Sequence, residues 1–313
     1  VPENLRGLLA FDPEKHARFK GASDYGYAWP APVYPIEKSG GVTSFGMGGN
    51  GPDSTLTANG GNPVGDCAPN AAPKNVDQTT AALFDIDDTA FTSDQIVYLY
   101  FLFEAVQAGV SWRPPEVGAP WSPADLQMGQ QLDVGVDLGD WLLWCFQQGL
   151  IEAFLKVAID ELDASLMVAD AQVIGVDLNT QADNQFPGTW DIGPGDQPDP
   201  EDGHAVQRFG VESAAGLRKG ATWGQVQQWT VLWENACFQQ GFVVLTKEQA
   251  EAHGFPFDAV VADLKALGGT VVPTPAPEPA PPAPPAPTPS PPPKPSPEVL
   301  AWWREFVSWL EAL

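Results

Sequence analysis

Gly65-Asp66-Cys67, Asp202-Gly203-His204-Ala205-Val206 and Ala221-Thr222-Trp223-Gly224 are the stretches around which the chain is organised. Cys67 and His204 stand 137 residues apart. A thiol nucleophile needs a base that is near in space, and sequence distance is no obstacle to that. Gly-Asp-Cys follows a Gly- and Asn-rich loop. Cys67 then opens a short helical segment with Pro69 in its first turn, where proline is tolerated. A cysteine at a helix start has a lowered pKa, and the thiolate is its reactive form. Pro73 interrupts that segment. His204 opens an alternating run to Glu212, and turn residues at Ser213 to Gly216 lead into Leu217 to Trp223, so the spacing predicts a hairpin. Cys67 and His204 are the candidate catalytic pair, with Asn62, Asp202 and Thr222 as candidate helpers.

Composition narrows the setting. The chain has 313 residues, 43% of them apolar, and 12 tryptophans, enough for a sizeable core. A net charge of −25 repels nucleic acid and anionic membrane alike, so neither is an expected partner. Cys67, Cys145 and Cys237 are too few for a disulfide framework and point to a reducing site of synthesis. No basic, apolar leader precedes Asn4, and the longest apolar run, Ile96 to Phe103, is too short to span a bilayer. The expectation is a protein made in a cytoplasm. No ligand spacing for a metal or phosphate loop for a nucleotide is present, so no cofactor is expected.

In chain order, residues 1–40 read as an arm, with short helices at Asn4 to Leu9 and Glu14 to Phe19 and an extended segment carrying Tyr27, Trp29 and Tyr34 among prolines. Residues 41–270 read as the globular domain. Helices are expected at Val76 to Phe84, at Asp94 to Ala108 behind a Ser93 cap, and from Leu138 behind an Asp137 cap, with Cys145 in the core. Residues 110–132 read as loop. Ala153 to Ile159 and Val173 to Val176 read as strands around a short helix at Leu162 to Ala169, and residues 179–203 as a long acidic loop. A helix at Val226 to Phe238, a strand at Gly241 to Leu245, a short helix from Thr246 and a last helix at Phe257 to Leu267 complete it. Helices come first and strands later, which predicts an α+β fold.

The regime then changes. Pro273 to Pro297 holds 15 prolines in 25 residues, so 271–297 reads as a stiff linker reaching about 75 Å if fully extended. Residues 298–313 read as an amphipathic docking helix, with Trp302, Trp303, Phe306, Trp309, Leu310 and Leu313 on its apolar face. A short helix is marginal by itself, so docking on a partner protein or self-association is expected there.

Two resemblances follow from these residues. Cys67, then Gly203-His204-Ala205-Val206, a hairpin and Trp223-Gly224 are similar to the order of papain-like peptidases, with the Cys–His separation of that family. Phe45-Gly46-Met47-Gly48-Gly49-Asn50 with Gly65-Asp66-Cys67, Asp133-Val134-Gly135-Val136 with Asp140, Leu142 and Phe146, Asp202-Gly203-His204, Thr222-Trp223-Gly224 and Trp233-Glu234-Asn235-Ala236-Cys237 resemble a family of actinobacteriophage proteins of papain-like fold, over roughly residues 25–270. The resemblance implies a phage-encoded domain of the virion, partnered by capsid or other virion proteins. Where papain-like peptidases carry an orienting Asn, two residues before the Trp, this chain has Ala221. Where they carry an oxyanion Gln it has Gly61, with Asn62 beside it. These departures, with Pro73, predict a catalytically silent or weak domain serving a structural role. The alternative is an active thiol hydrolase of peptide or amide bonds using Cys67 and His204.

Overall fold

The computed structural model describes residues 8–9, 12–38, 93–222 and 225–268, all within the unit Val1–Gly269. Cys67, Asn62, Gly61 and Pro73, the expected helix at Val76 to Phe84, Trp223-Gly224, the Pro-rich stretch and the aromatic segment 298–313 lie outside the described residues.

Helices lead. Ser93–Gln107 is a 15-residue helix whose Leu99, Tyr100, Phe101 and Phe103 are almost wholly buried. Leu138–Gln147 starts where Asp137 accepts from the backbone N–H of Asp140, a first-turn cap that satisfies a donor without an intrahelical partner. Between them the expected loop contains a helix, Pro123–Leu132. Ser122 Oγ accepts from the Asp125 N–H at 3.2 Å and the Asp125 carboxylate accepts from the Ser122 N–H at 3.2 Å, a reciprocal cap with proline in the first helical turn. That local signal outweighs the Gln-rich polarity that reads as loop.

An eight-stranded sheet follows: β1 (Ile36–Glu37), β2 (Ala153–Lys156), β3 (Gln172–Asn179), β4 (Thr189–Trp190), β5 (Pro198–Val211), β6 (Arg218–Thr222), β7 (Gln225–Trp229) and β8 (Phe238–Leu245). The order is β2-β8-β3-β5-β6-β7-β4, with β1 added on β5. All pairs are antiparallel except β4–β7. β5 is the axis of the sheet, and from Asp202 to Val211 every residue is buried. The alternation expected from His204 to Glu212 is therefore not an inside–outside pattern, because both faces of β5 are covered.

Other expectations are corrected. The expected helix at Val226 to Phe238 divides into β7 and a helix, Val231–Cys237, that begins only where Thr230 accepts from the Trp233 N–H. Pairing with β6 claims Gln225–Trp229 first. The acidic loop at 179–203 holds a short helix, Ala182–Gln185, then β4 and the start of β5. The strand from Ala153 stops at Lys156, and the helix from Leu162 stops at Ser165. In the arm, Leu8 is extended in a parallel bridge with Val136, and the Leu9 N–H donates to the Val136 carbonyl at 3.0 Å, so a helix does not run through to Leu9. The helix expected at Glu14 to Phe19 is Pro13–Ala17.

The arm packs on its own domain. Phe19 is buried against Phe154 and Phe242, Tyr27 and Trp29 lie 4.6 and 5.9 Å from the Phe255 ring, and Tyr34 Oη donates to Asp163 at 2.6 Å. On the far part of the sheet Trp190 stacks on Trp233 at 4.8 Å, and Trp229 lies 5.9 Å from Trp233.

Candidate functional site

His204 sits on β5 opposite Val176 of β3 and is 1% exposed. Its Nε2 lies 2.6 Å from Oγ1 of Thr222 on β6. Antiparallel pairing sets this contact: Gln207 faces Ala221 across β5 and β6, so the residue after Ala221 leaves the same face of the sheet as His204 and Val206. With Nε2 protonated, the ring donates to the threonine oxygen, and Nδ1 is then the basic nitrogen. Asp202 lies two residues before His204 on the same strand, 9% exposed. Ala221, where the orienting amide is expected, is buried at 4% exposure and offers only a methyl group. The hydroxyl that reaches the ring belongs to Thr222, one residue later.

The arm approaches this strand closely. A Cβ built on Gly203 would stand 2.7 Å from the Leu8 carbonyl oxygen. Only glycine lets that backbone lie against β5 next to His204.

Of the candidate residues, the structure brings His204 and Thr222 together and puts Asp202 on the same strand. Cys67 and Asn62 lie outside the described residues. The chain's other two thiols are unsuited to nucleophilic work. Cys145 is buried, and burial drives its pKa well up. Cys237 is fully buried and is pushed up to about 12 by burial, then by Asp196 and Asp177. Such thiols are inert because the thiolate is the reactive species.

A polar knot, part of it in the stretch 179–203 expected as loop, lies at the same end of β3. Trp233 Nε1 donates to Asn179 Oδ1 at 2.7 Å, Asn179 Nδ2 donates to the Asp196 carboxylate, and Thr180 Oγ1 donates to Asp196 at 2.8 Å. Gln239 donates to Asp177 at 2.6 Å, and Asp177 is pushed up to about 6 by burial, with Asp199 adding to it. Asp177 stands opposite Gly203, the neighbour of His204. The only sequence signal for this knot was the density of Asp in 179–203, which reads equally as solvated loop. Among the described residues no group of three or more His, Cys, Asp or Glu is placed to hold a metal ion, and no helix is long and apolar enough to cross a membrane.

No family model and no curated protein matches the sequence. Among solved structures, xylellain, a cysteine protease from Xylella fastidiosa, matches with a TM-score of 0.51 at 11% identity, over 78% of this chain and 97% of that one. What this chain shares with that papain-like cysteine protease is its fold, a mixed architecture of helices and sheet.

Proposed function

We propose that the chain is a thiol-dependent hydrolase of peptide or amide bonds, with Cys67 as nucleophile and His204 as its base. The observation that carries this reading is the 2.6 Å contact between His204 and Thr222 in a fold of the cysteine-protease kind. A Cys–His pair needs a third group to fix the ring, and Thr222 supplies one despite Ala221. In the cycle, His204 takes the Cys67 proton and the sulfur attacks the carbonyl carbon. The imidazolium then protonates the leaving amine, giving a thioester. A water deprotonated by His204 adds to the thioester and releases the acid and the thiol.

A second reading keeps the scaffold and drops the turnover. It is supported by the methyl of Ala221 at the amide's place, and by the Pro-rich stretch and aromatic segment that suit a tether. In it the domain is a phage virion component, made in the host cytoplasm, that contacts a capsid or other virion protein or a second copy through residues 298–313.

Labelling with chloroacetamide at neutral pH, followed by mass spectrometry, separates the two. The hydrolase reading expects Cys67 to react well ahead of Cys145 and Cys237, His204→Ala to slow that reaction, and a fluorogenic peptide to be turned over. Thr222→Val should lower turnover about tenfold or more and cost roughly 1–3 kcal/mol of stability for the unsatisfied ring nitrogen. A Cys67 that reacts no faster than an ordinary thiol, together with no turnover, would sink the hydrolase. The silent-domain reading then requires the protein in purified particles.

A further inference from the structure

Away from His204, a cleft of about 180 Å³ lies between the arm, the end of β2 and the last helix, Phe257–Leu267. Phe19, Phe154 and Leu264 make its apolar wall, and Arg18, Lys20 and Lys156 line it with three cations. The chain has 15 Lys and Arg against 40 Asp and Glu, so such a gathering runs against the composition.

Two of the cations are already matched. Arg18 pairs with Asp140 and lies 4.6 Å over the Phe19 ring. Lys20 pairs with Asp263 at 2.7 Å and lies over the Tyr25 ring. Lys156 is different. It is partly buried, and among the described residues no carboxylate pairs with it. Its backbone N–H donates to the Lys20 carbonyl at 3.1 Å, which fixes the root of the side chain at the cleft wall. Arg18, Lys20, Tyr25 and Asp263 line the cleft with it, and His16 lies near enough for Lys156 to help burial lower its pKa to about 4. A partly buried lysine in a cleft with apolar walls gives up part of its hydration, and an anion that enters the cleft supplies it with a counter-charge.

We infer that this cleft binds a small monocarboxylate with an apolar body, Lys156 taking the carboxylate and Phe19, Phe154 and Leu264 the body. One uncompensated ammonium matches one negative charge. Asp263 in the cleft, and Asp140 paired with Arg18 at its edge, oppose a second, which disfavours phosphate esters and dicarboxylates. The volume lies below the roughly 300–1,000 Å³ of pockets that take drug-sized ligands, so a short acyl chain or a single apolar amino-acid side chain fits. A short fatty acid and the free C-terminus of a peptide ending in an apolar residue share this chemistry.

Isothermal titration of the full chain with octanoate, N-acetylphenylalanine and octanamide tests it. At least one carboxylate should bind with an affinity in the millimolar range or better, and the neutral amide at least about tenfold more weakly. Lys156→Gln, which keeps the stem and removes the charge, should weaken the carboxylate by a similar factor and leave the circular dichroism spectrum unchanged. Tighter binding of octanoate assigns the fatty-acid source, and tighter binding of N-acetylphenylalanine the peptide source. Octanamide binding as well as octanoate, Lys156→Gln binding like the parent, or no carboxylate binding up to about 10 mM overturns the inference.

Discussion

At the scale of single residues, two buried groups pull stability in opposite directions as pH changes. Glu104 is 3% exposed on the helix Ser93–Gln107, and its carboxyl is pushed up to about 8 by burial, with Asp133 adding to it. Asp133 is itself engaged, accepting from Tyr100 Oη at 2.6 Å. Between the ordinary 4.5 and about 8 the folded chain keeps a proton that the unfolded chain releases, so stability falls as pH rises through that window. His16 has the opposite sign. Burial first, then Lys156, lowers it from 6.5 to about 4, so stability falls as pH drops through that interval. Glu104→Gln cannot ionise and should remove the loss on the alkaline side. Urea unfolding is expected to find the variant more stable than its parent by about 4 kcal/mol at pH 8 and close to it near pH 4.5. Parallel stability curves across that range would show that Glu104 does not titrate there.

At the scale of elements, β5, β6 and the helix Val231–Cys237 are joined by a buried charge cluster. Glu234 accepts from Arg208 Nε at 2.8 Å, from Arg218 Nε at 3.2 Å and from Trp229 Nε1 at 2.9 Å. Asp163 accepts from both arginines and from Tyr34, and Arg208 Nη1 donates to Gln172 at 3.0 Å. Two guanidinium groups face two carboxylates, so the cluster is neutral although Arg208 is wholly buried. Burial of this kind tolerates the whole set and punishes the loss of one member, because the remaining charge has no water to turn to. Glu234→Gln should therefore cost about 3–5 kcal/mol, read as a shift of the denaturant midpoint at unchanged slope; a loss near zero would mean that water screens the cluster. The same strands meet tightly elsewhere. A Cβ on Gly220 would stand 2.0 Å from the Gln207 carbonyl oxygen and 2.5 Å from the Trp229 ring. The glycine thus permits both the β5–β6 pairing and the seating of the tryptophan. None of this was legible in the sequence. Nothing local in the sequence marks Arg208, Arg218 or Glu234 as buried.

At the scale of the whole molecule, the sequence separates a domain that can bury a core from a stretch that cannot. Pro273 to Pro297 lacks the apolar side chains a core needs, and its backbone has few donors. X-Pro bonds resist cleavage, so a broad-specificity protease should cut just ahead of the proline run. The expected product by intact mass ends near Gly269; fast cutting within 93–268 would mean that the described elements do not form one resistant body. Within the domain, the sequence by itself determined the elements whose signals are local. Asp137 marked the helix that begins at Leu138, the apolar spacing marked Phe257–Leu267, and the apolar runs marked β3 and β8. Capping and periodicity act over a few residues, so they survive without the rest of the chain. Only the tertiary structure decided that Gln225–Trp229 is a strand, because a hairpin partner outbids a weak helical preference. It also decided that Leu8 runs extended against Val136. It alone placed the Thr222 hydroxyl on His204. The two lie 18 residues apart on neighbouring strands, and the register of β5 on β6, which long-range packing fixes, determines which side chain reaches the ring.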